Sequence, residues 1–182
     1  QKSSPILIER TLPHTLMVNK SGKRFCNEAT NYSAMAGAFH FFDPNEYGYP
    51  NLPAWIIFDS NFREKYPFVN IFPGSEDPDW FIKAESIGNL AEKLEIDQDS
   101  LISTVDTFNK YVESGDDLDF GRGKSEYESL CSSHFDGWQR RKLTKQQVVV
   151  GRVCSSTSNR FARPTDDGHS SGRQNRMSGV GS

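Results

Sequence analysis

The hydrophobic run "AWIIFDS" at residues 54 to 60 constrains the fold more than any other stretch of the sequence. Four large apolar residues stand next to one another, so the side chains that point to opposite faces of a strand are all apolar. Such a run is typical of a strand that is buried on both faces. The sequence therefore predicts a central strand with a layer of structure packed on each side.

Two amphipathic helices that could form one of these layers follow in residues 86 to 115. Ser86 is the predicted N-cap of a first helix that extends to about Leu94. A second helix begins after "EIDQD" and ends at Gly115, the expected C-cap. Their apolar residues recur at helical spacing. They are Ile87, Leu90, Ala91 and Leu94 in the first helix, and Leu101, Val105, Phe108 and Val112 in the second.

A hairpin and two further helices are predicted in the first half of the chain. The extended runs "TLMVN" and "RFCNEA" flank a turn that contains Gly22, a pattern typical of a β-hairpin. Residues 31 to 42 have the spacing of a helix, and "DSNFREKY" predicts a short helix capped by Asp59 or Ser60. The expected fold class is α+β, a small antiparallel sheet with packed helices, within residues 1 to 134.

The sequence changes character after residue 134. Residues 1 to 134 carry 12 Lys and Arg against 21 Asp and Glu, whereas residues 135 to 182 carry 9 against 3. The stretch from 155 to 182 has too few apolar residues to bury a core. We expect residues 135 to 182 to form a low-complexity, basic and poorly structured tail, or to result from a misread frame or an unusual splice. One strand is conceivable in "KLTKQQVVVGRVC", although nothing beside it supports it.

The basic tail raises the alternative of a non-catalytic fragment that binds partners or nucleic acid. Positively charged side chains attract phosphate groups without sequence preference. In this tail the cations are spread out and few aromatic residues lie between them to stack on bases. We therefore do not expect a nucleic-acid partner.

Known sequence signatures of catalytic and ligand-binding sites do not occur in the chain, which has no G-x-G-x-x-G, P-loop, G-x-S-x-G or H-E-x-x-H. The four histidines are scattered, so no metal site is expected.

Three cysteines without a CxxC pair predict free thiols and hence a reducing, cytoplasmic location. No apolar run reaches 18 residues, so we expect no membrane span. The start has neither Met nor a signal-peptide core, which suggests an excised piece of a longer protein.

Tyr32 is the main candidate for a catalytic side chain. It follows Asn27 and Glu28 at a predicted helix start, and a tyrosine at the end of an element can act as an acid or a base. The alternative is a tyrosine packed in the core with its hydroxyl hydrogen-bonded. The residues alone favour this packed alternative.

The segment "MVNKSGKRFCNEATNY" resembles a motif of the flavin-dependent fumarate reductase/3-ketosteroid 1-dehydrogenase superfamily. The motif reads V-N-x-x-G-x-R-F-x-N-E and lies in the substrate-covering domain of these enzymes. The segments "LPAWIIFD" and "LAEKLEIDQDSLISTVDTFNKYVESGDDLDFGRG" resemble the same domain, and the second is similar to the steroid-dehydrogenase-like branch. The resemblance covers residues 4 to 130.

The resemblance implies an FAD-dependent enzyme that dehydrogenates a 3-ketosteroid, or a similar small apolar ketone, at its 1,2 bond. It implies that Tyr32 removes a proton beside the ketone while hydride passes to the flavin. The flavin would be bound by a partner domain that is missing from this chain, so the chain alone is expected to be inactive. Fumarate reductases have an arginine shortly after the Asn-Glu pair. This chain lacks that arginine. A fumarate-reductase-like enzyme that acts on an unsaturated acid is therefore only the second choice, after the ketosteroid dehydrogenase.

Aromatic residues after Tyr32 could form the apolar pocket that a steroid needs. Ordinary core packing is the alternative for each of them. Arg24 and Glu28 are expected to hold the hairpin or to line the junction with the flavin domain. The predicted substrate-binding residues are Phe39, Phe42, Tyr47 and Trp55, with Phe41 and Tyr49 beside them.

Overall fold

The computed structural model describes residues 8 to 126 and the backbone of residues 148 to 153. A short 3-10 helix, Glu9–Thr11, comes first. The strands in these residues are β1 (Thr15–Asn19), β2 (Ala54–Asp59), β3 (Ile82–Ala84) and β4 (Val148–Val153). The α-helices are α1 (Tyr32–Phe39), α2 (Ser60–Lys65), α3 (Ile87–Leu94) and α4 (Gln98–Ser114). The predicted α+β class is confirmed.

The strands form one antiparallel sheet in the order β1-β2-β4-β3. β2 pairs with β1 along its length, and Ile56 lies opposite Met17. The other edge of β2 pairs with β4, which in turn pairs with β3. All six residues of β2 are buried. The prediction of a central strand that is covered on both faces is therefore confirmed.

Two hydrophobic clusters cover the two faces of the sheet. One includes Trp55 and Ile57 and packs against apolar residues of α3 and α4. The other includes Ile56 and Phe58 and packs against α1, α2 and the loop after α2. Neighbouring residues of a strand point to opposite faces, so the apolar run in β2 contributes to both clusters. α1 consequently lies on the face opposite α3 and α4.

The predicted helix caps at Asp59, Ser86 and Gly115 are confirmed, whereas α4 begins at Gln98, within the segment "EIDQD" that is expected to precede it. Asp59, Ser86 and Asp97 cap α2, α3 and α4, because each side chain accepts a hydrogen bond from the backbone N–H three residues on. Each cap satisfies an N–H group that has no partner within its helix. α4 ends at Gly115, whose φ of 77° is the left-handed conformation of a C-cap. Among the helices that the structure describes, none has the length and apolar character needed to cross a membrane.

The predicted hairpin around Gly22 is wrong. A turn does follow β1, because the N–H of Asn19 donates to the carbonyl oxygen four residues on at 3.0 Å. The residues after this turn do not continue as a strand, and β1 pairs with β2 instead. The side chains of Arg24 and Glu28 turn inward and bond to each other. In an extended strand, residues four apart are separated by about 13 Å, so this direct bond requires a bent backbone between them.

β4 lies within the segment for which the sequence predicts a poorly structured tail. It pairs with β2 on one side and with β3 on the other, and Val150 lies opposite Ile57 of β2. The strand suggested by "KLTKQQVVVGRVC" is therefore present, with two neighbours that the sequence does not reveal. The rest of the predicted tail lies outside the described residues, as does the boundary predicted at residue 134.

Candidate functional site

Four charged side chains form a buried cluster beside β1: Arg24, Glu28, Asp117 and Arg122. Glu28 is fully buried and bonds to both arginines. It accepts hydrogen bonds from Arg24 Nε at 3.1 Å and Nη2 at 2.9 Å, and from Arg122 Nη1 at 3.2 Å. Charge-assisted bonds of this kind offset the cost of removing the carboxylate from water. This set of four residues is called the buried charge cluster below.

Asp117 organises the acidic loop after α4. Its carboxylate accepts hydrogen bonds from Arg24 Nη1 at 3.0 Å and Nη2 at 2.9 Å. It also accepts hydrogen bonds from the backbone N–H groups of Asp119, Phe120 and Arg122. The predicted acidic loop is thus wrapped around one buried carboxylate and is tied through Arg24 to the turn after β1.

The buried charge cluster also satisfies backbone groups of β1, which lies at one edge of the sheet. Glu28 accepts a hydrogen bond from the N–H of Met17 at 3.3 Å. Arg122 Nη1 donates to the carbonyl oxygen of Thr15 at 3.1 Å. Unpaired backbone groups on an edge strand can pair with another chain, and here charged side chains bond to them instead.

The carboxylates of the cluster stay ionised at neutral pH. Burial alone would raise the pKa of Glu28, but the positive charges of Arg24 and Arg122 outweigh burial and hold this pKa below its ordinary value. Burial likewise opposes ionisation of Asp117, yet its hydrogen bonds to Arg24 and the charge of that guanidinium lower its pKa. A carboxyl group held ionised in this way is a poor proton donor near neutral pH. The cluster therefore acts as structural support.

Tyr32 is the first residue of α1 and is exposed to solvent. The side chain of Asn31 caps the helix by accepting a hydrogen bond from the N–H of Ala34 at 3.0 Å. Tyr32 is 54% exposed, which disagrees with the alternative of a tyrosine packed in the core. The guanidinium carbon of Arg10 lies 5.2 Å from the centre of the Tyr32 ring. A phenol in this position is accessible to a ligand or to another part of a longer protein.

Phe42 and Tyr47 lie together with Tyr49 in an exposed group of rings after α1, called the exposed aromatic group below. The ring centre of Phe42 lies 5.3 Å from that of Tyr47 and 5.6 Å from that of Tyr49. Tyr47 is 85% exposed. These contacts bring together two of the four residues that are predicted to bind substrate.

Phe39 and Trp55, the other two predicted residues, lie in separate hydrophobic clusters. Phe39 ends α1 and packs against Phe25, with ring centres 5.4 Å apart. It belongs to the cluster on the α1 face of the sheet. Trp55 belongs to the cluster under α3 and α4, on the opposite face. For these two residues the structure agrees with ordinary core packing, the alternative that the sequence leaves open.

The sequence-based candidates omit three residues that support this site, namely Arg10, Asp117 and Arg122. Arg122 has a recognisable signal, because it is a cation between two glycines at the end of an acidic segment. Arg10 follows the apolar run "PILI" and Glu9, and a charged residue that is buried beside such a run needs a partner inside the fold. Asp117 is marked only by the resemblance, because it is the first Asp of the G-x-D-x-D-F-G-R-G pattern in residues 115 to 123.

Comparison with known proteins gives several relatives, although no protein-family model matches the chain. The 3-oxosteroid 1-dehydrogenase of Mycolicibacterium smegmatis is 39% identical over 133 residues, which are 67% of this chain and 23% of the relative. The 4-oxocyclohexanecarboxylate 2-dehydrogenase of Sinomonas cyclohexanicum is 33% identical over 135 residues, 74% of this chain and 24% of the relative. A probable fumarate reductase of Shewanella frigidimarina also matches.

Among solved structures, the chain is similar to a 3-ketosteroid delta1-dehydrogenase from Sterolibacterium denitrificans in complex with 1,4-androstadiene-3,17-dione. The TM-score is 0.72 and the identity 25%, over 82% of this chain and 28% of that chain. The chain belongs to the fumarate reductase/3-ketosteroid 1-dehydrogenase superfamily. It spans about a quarter of the length of the curated relatives that it matches.

In this member of the superfamily, the residues of the V-N-x-x-G-x-R-F-x-N-E motif form a bonded turn between β1 and α1. The side chain of Asn19 accepts hydrogen bonds from two backbone N–H groups of the turn. Gly22 has a φ of 71°, and a Cβ atom there would lie 2.8 Å from Cγ2 of Ile96. Arg24 and Glu28 bond the segment to the loop after α4. The motif residues thus connect β1 to the loop after α4 just before α1 begins.

Proposed function

We propose that the chain is the substrate-covering part of a longer FAD-dependent 3-ketosteroid 1-dehydrogenase, in which Tyr32 accepts a proton from the substrate. The observation that carries the proposal is the exposed position of Tyr32 at the start of a capped helix. The similarity to dehydrogenases of ring ketones supports it. Because the chain spans about a quarter of these relatives, the proposed activity is that of the longer protein.

The proposed reaction removes two hydrogens from neighbouring carbons of the ketone. The phenolate oxygen of Tyr32 takes one of them as a proton from the carbon beside the ketone and becomes the neutral phenol, and the electrons of that C–H bond form the new double bond. The other hydrogen leaves with its electron pair, as hydride, to an acceptor in another part of the longer protein. The proton on Tyr32 then returns to solvent, to which this side chain is exposed.

The described residues offer no fitting site for the flavin. The sequence lacks the G-x-G-x-x-G segment that approaches a dinucleotide. At Gly22, the side chain of Ile96 of the same chain occupies the space into which a Cβ atom would project. The glycines at 121 and 123 flank Arg122, which is buried in the charge cluster. We therefore assign the flavin to residues other than those described, as the proposal for a longer protein requires.

The exposed aromatic group supports an apolar substrate. Large exposed apolar patches on a protein commonly mark a surface that a ligand or a partner covers. Aromatic rings stack well on flat apolar molecules, and a 3-ketosteroid has such faces. A monocyclic keto acid would cover fewer rings and would need a cation for its carboxylate. We accordingly propose a steroid-like ketone as the substrate in preference to 4-oxocyclohexanecarboxylate.

The alternative, a fumarate-reductase-like enzyme of an unsaturated acid, fits this chain less well. The sequence after Glu28 reads Ala-Thr-Asn-Tyr and lacks the arginine of the reductases. Glu28, which the reductases use with that arginine to deliver protons, is here fully buried against Arg24 and Arg122. The lowered pKa of Glu28 also disfavours proton delivery from this carboxyl group.

A chimaera tests the proposal. The complete chain replaces the matching segment of the 3-oxosteroid 1-dehydrogenase of M. smegmatis, and flavin absorbance establishes that the chimaera is assembled. Reduction of an artificial electron acceptor is followed with a 3-ketosteroid and with 4-oxocyclohexanecarboxylate, and fumarate reduction is assayed separately. Tyr32→Phe should lower the steroid rate by about 100-fold or more, since a general base is lost.

Tyr111→Phe is the matched control, because Tyr111 is a tyrosine of α4 whose hydroxyl donates to Asp119 at 3.0 Å. We expect it to keep the wild-type rate. A flavin-loaded Tyr32→Phe chimaera that is as fast as the wild type would remove Tyr32 from the reaction. Fumarate reduction that exceeds steroid oxidation would favour the alternative enzyme.

A further inference from the structure

We propose that Arg10 is a positioning residue for Tyr32: its buried guanidinium group lies against the phenol ring and holds the ring in the orientation that meets the substrate. This inference rests on the proposed function, because it requires Tyr32 to react. Arg10 lies outside the V-N-x-x-G-x-R-F-x-N-E motif, so the assignment depends on the contacts of its side chain.

Arg10 and Tyr32 are in contact although one is buried and the other exposed. Arg10 is 4% exposed, whereas Tyr32 is more than half exposed. The separation of 5.2 Å between the guanidinium carbon and the ring centre is within the range at which a cation is attracted to an aromatic face. One side of the ring therefore lies against the protein, and the remainder of the side chain is accessible from solvent.

Arg10 is itself held from several directions. Its Nη1 donates a hydrogen bond to the backbone carbonyl oxygen of Glu28. Its own carbonyl oxygen accepts hydrogen bonds from Thr15 Oγ1 at 3.1 Å and from Arg122 Nη2 at 3.5 Å. These bonds connect Arg10 to the buried charge cluster. The two bonds to the carbonyl oxygen fix the backbone of Arg10, and the Nη1 bond to Glu28 restrains the guanidinium group against which the ring lies.

Tyr32 needs such a contact, because its side chain has few other restraints among the described residues. The cap formed by Asn31 fixes the backbone at the start of α1, but it does not fix the orientation of the ring. Exposed side chains exchange between rotamers in picoseconds to nanoseconds. Proton transfer requires the acceptor oxygen to lie within hydrogen-bond reach of the substrate, and pre-orientation raises the rate.

The Nε atom of Arg10 gives independent support. It is buried and has no hydrogen-bond partner among the described residues. A buried donor without a partner destabilises a fold, so a well-packed apolar side chain would avoid this cost. Apolar packing alone therefore does not account for an arginine here, whose guanidinium group bonds to the carbonyl oxygen of Glu28 and lies against the Tyr32 ring.

The contact is tested in the complete chain by 19F NMR with 3-fluorotyrosine. The chain has six tyrosines, and Tyr32→Phe identifies the Tyr32 signal by removing it. Arg10→Met removes the charge while keeping an unbranched side chain. Arg10→Lys keeps the charge but cannot stack as a plane on the ring. We expect both variants to shift the Tyr32 signal.

Arg63→Met is the matched control for the loss of a buried arginine. Arg63 is also buried, and it bonds to Asp77 at 2.6 Å and to the carbonyl oxygen of Phe72 at 2.8 Å. Its contacts lie in the loop after α2 and not at Tyr32. We expect this variant to leave the Tyr32 signal in place.

Kinetics of the chimaera test the positioning role itself. Arg10→Met is expected to lower kcat about tenfold while KM stays within about twofold, because a misoriented base slows proton transfer after the substrate has bound. Arg10→Lys is expected to lose about threefold in kcat. If Arg10→Met fails to assemble with flavin, the kcat of Arg10→Lys tests the positioning role in its place. Arg63→Met is expected to keep kcat within about twofold of the wild type.

The outcomes separate the two proposals. An unchanged Tyr32 signal in the Arg10 variants, or equal losses of kcat in Arg10→Met and Arg63→Met, would overturn the positioning role. If Tyr32→Phe is inactive while the Arg10 variants keep the wild-type kcat, the positioning role fails and the proposed function stands. If Tyr32→Phe keeps the wild-type rate, the proposed function fails and the positioning role fails with it.

Discussion

Arg24 and Asp117, 93 residues apart in the sequence, form a two-bond ion pair with N–O distances of 3.0 and 2.9 Å. The Arg24 guanidinium carbon also lies 5.2 Å from the ring centre of Phe108 and 5.1 Å from that of Phe120. A guanidinium with two in-plane bonds and aromatic neighbours has little freedom to move. The pair therefore fixes the segment that leads into α1 to the loop after α4.

Removal of the Glu28 charge should destabilise the fold strongly. Glu28→Gln leaves Arg24 and Arg122 buried with less negative charge near them, and breaking a buried ion pair costs about 3 to 5 kcal/mol. Lys124→Met is the control, because it breaks an exposed pair with Asp116 and should cost less than about 1 kcal/mol. Urea unfolding measures both changes, and equal losses would contradict the structural role of the cluster.

Acid should unfold the domain through the same carboxylates. Glu28 and Asp117 have lowered pKa values in the fold, whereas unfolded carboxyl groups titrate near pH 4. As the pH falls, the unfolded state therefore binds protons first. The stabilisation is complete above about pH 5, declines as the pH drops through about 4, and is lost below the folded pKa values.

Urea unfolding between about pH 7 and pH 3 tests this dependence. Asp117→Asn removes one of the two carboxylates, so its unfolding free energy should depend less steeply on pH. A variant that keeps the full slope of the wild type would show that acid acts through other groups.

A side chain at Gly22 should be poorly tolerated. Gly22→Ala places a methyl group 2.8 Å from Cγ2 of Ile96 in a backbone conformation with positive φ, and we expect a loss of about 1 to 3 kcal/mol. Gly37→Ala is the control, because this glycine of α1 has no atom within 4 Å of the added methyl group. It should be neutral or stabilise by up to about 1 kcal/mol. Thermal unfolding that ranks the two variants in the opposite order would be inconsistent with the turn geometry.

Removal of β4 should destabilise the sheet. A chain that ends at residue 147 lacks the strand that pairs with both β2 and β3, so two rows of backbone groups lose their partners and can pair with other chains. A chain that ends at residue 153 keeps the strand and is the matched control. We expect a lower Tm and more light scattering for the shorter chain alone. Identical melting of the two would mean that β4 contributes little.

Local features of the fold could be predicted from the sequence. The caps at Asp59, Ser86 and Gly115 act over a few residues, so one sequence contains all the information that they require. The same holds for the continuous apolar run of β2, whose burial on both faces follows from side-chain alternation.

Relationships between distant segments could not be predicted in this way. The segment after Gly22 has the local pattern of a strand, but Glu28 bonds to Arg122, 94 residues away, and a short stretch of sequence does not reveal such a partner. Phe39 and Trp55 have the same aromatic character as Phe42, and only the packing of separate elements places them in the core. Of the candidate site, the resemblance indicated Tyr32, while Arg10 required coordinates.

The order β1-β2-β4-β3 places β4, the last strand among the residues that the structure describes, inside the sheet. A protein emerges from the ribosome N-terminus first, and its domains begin to fold as they emerge. Here β2 and β3 leave the ribosome well before residues 148 to 153, so the sheet stays unfinished until translation has passed them. The nascent chain should depend on chaperones for longer than a domain of equal size in which the strand that is synthesised last lies at the edge of the sheet.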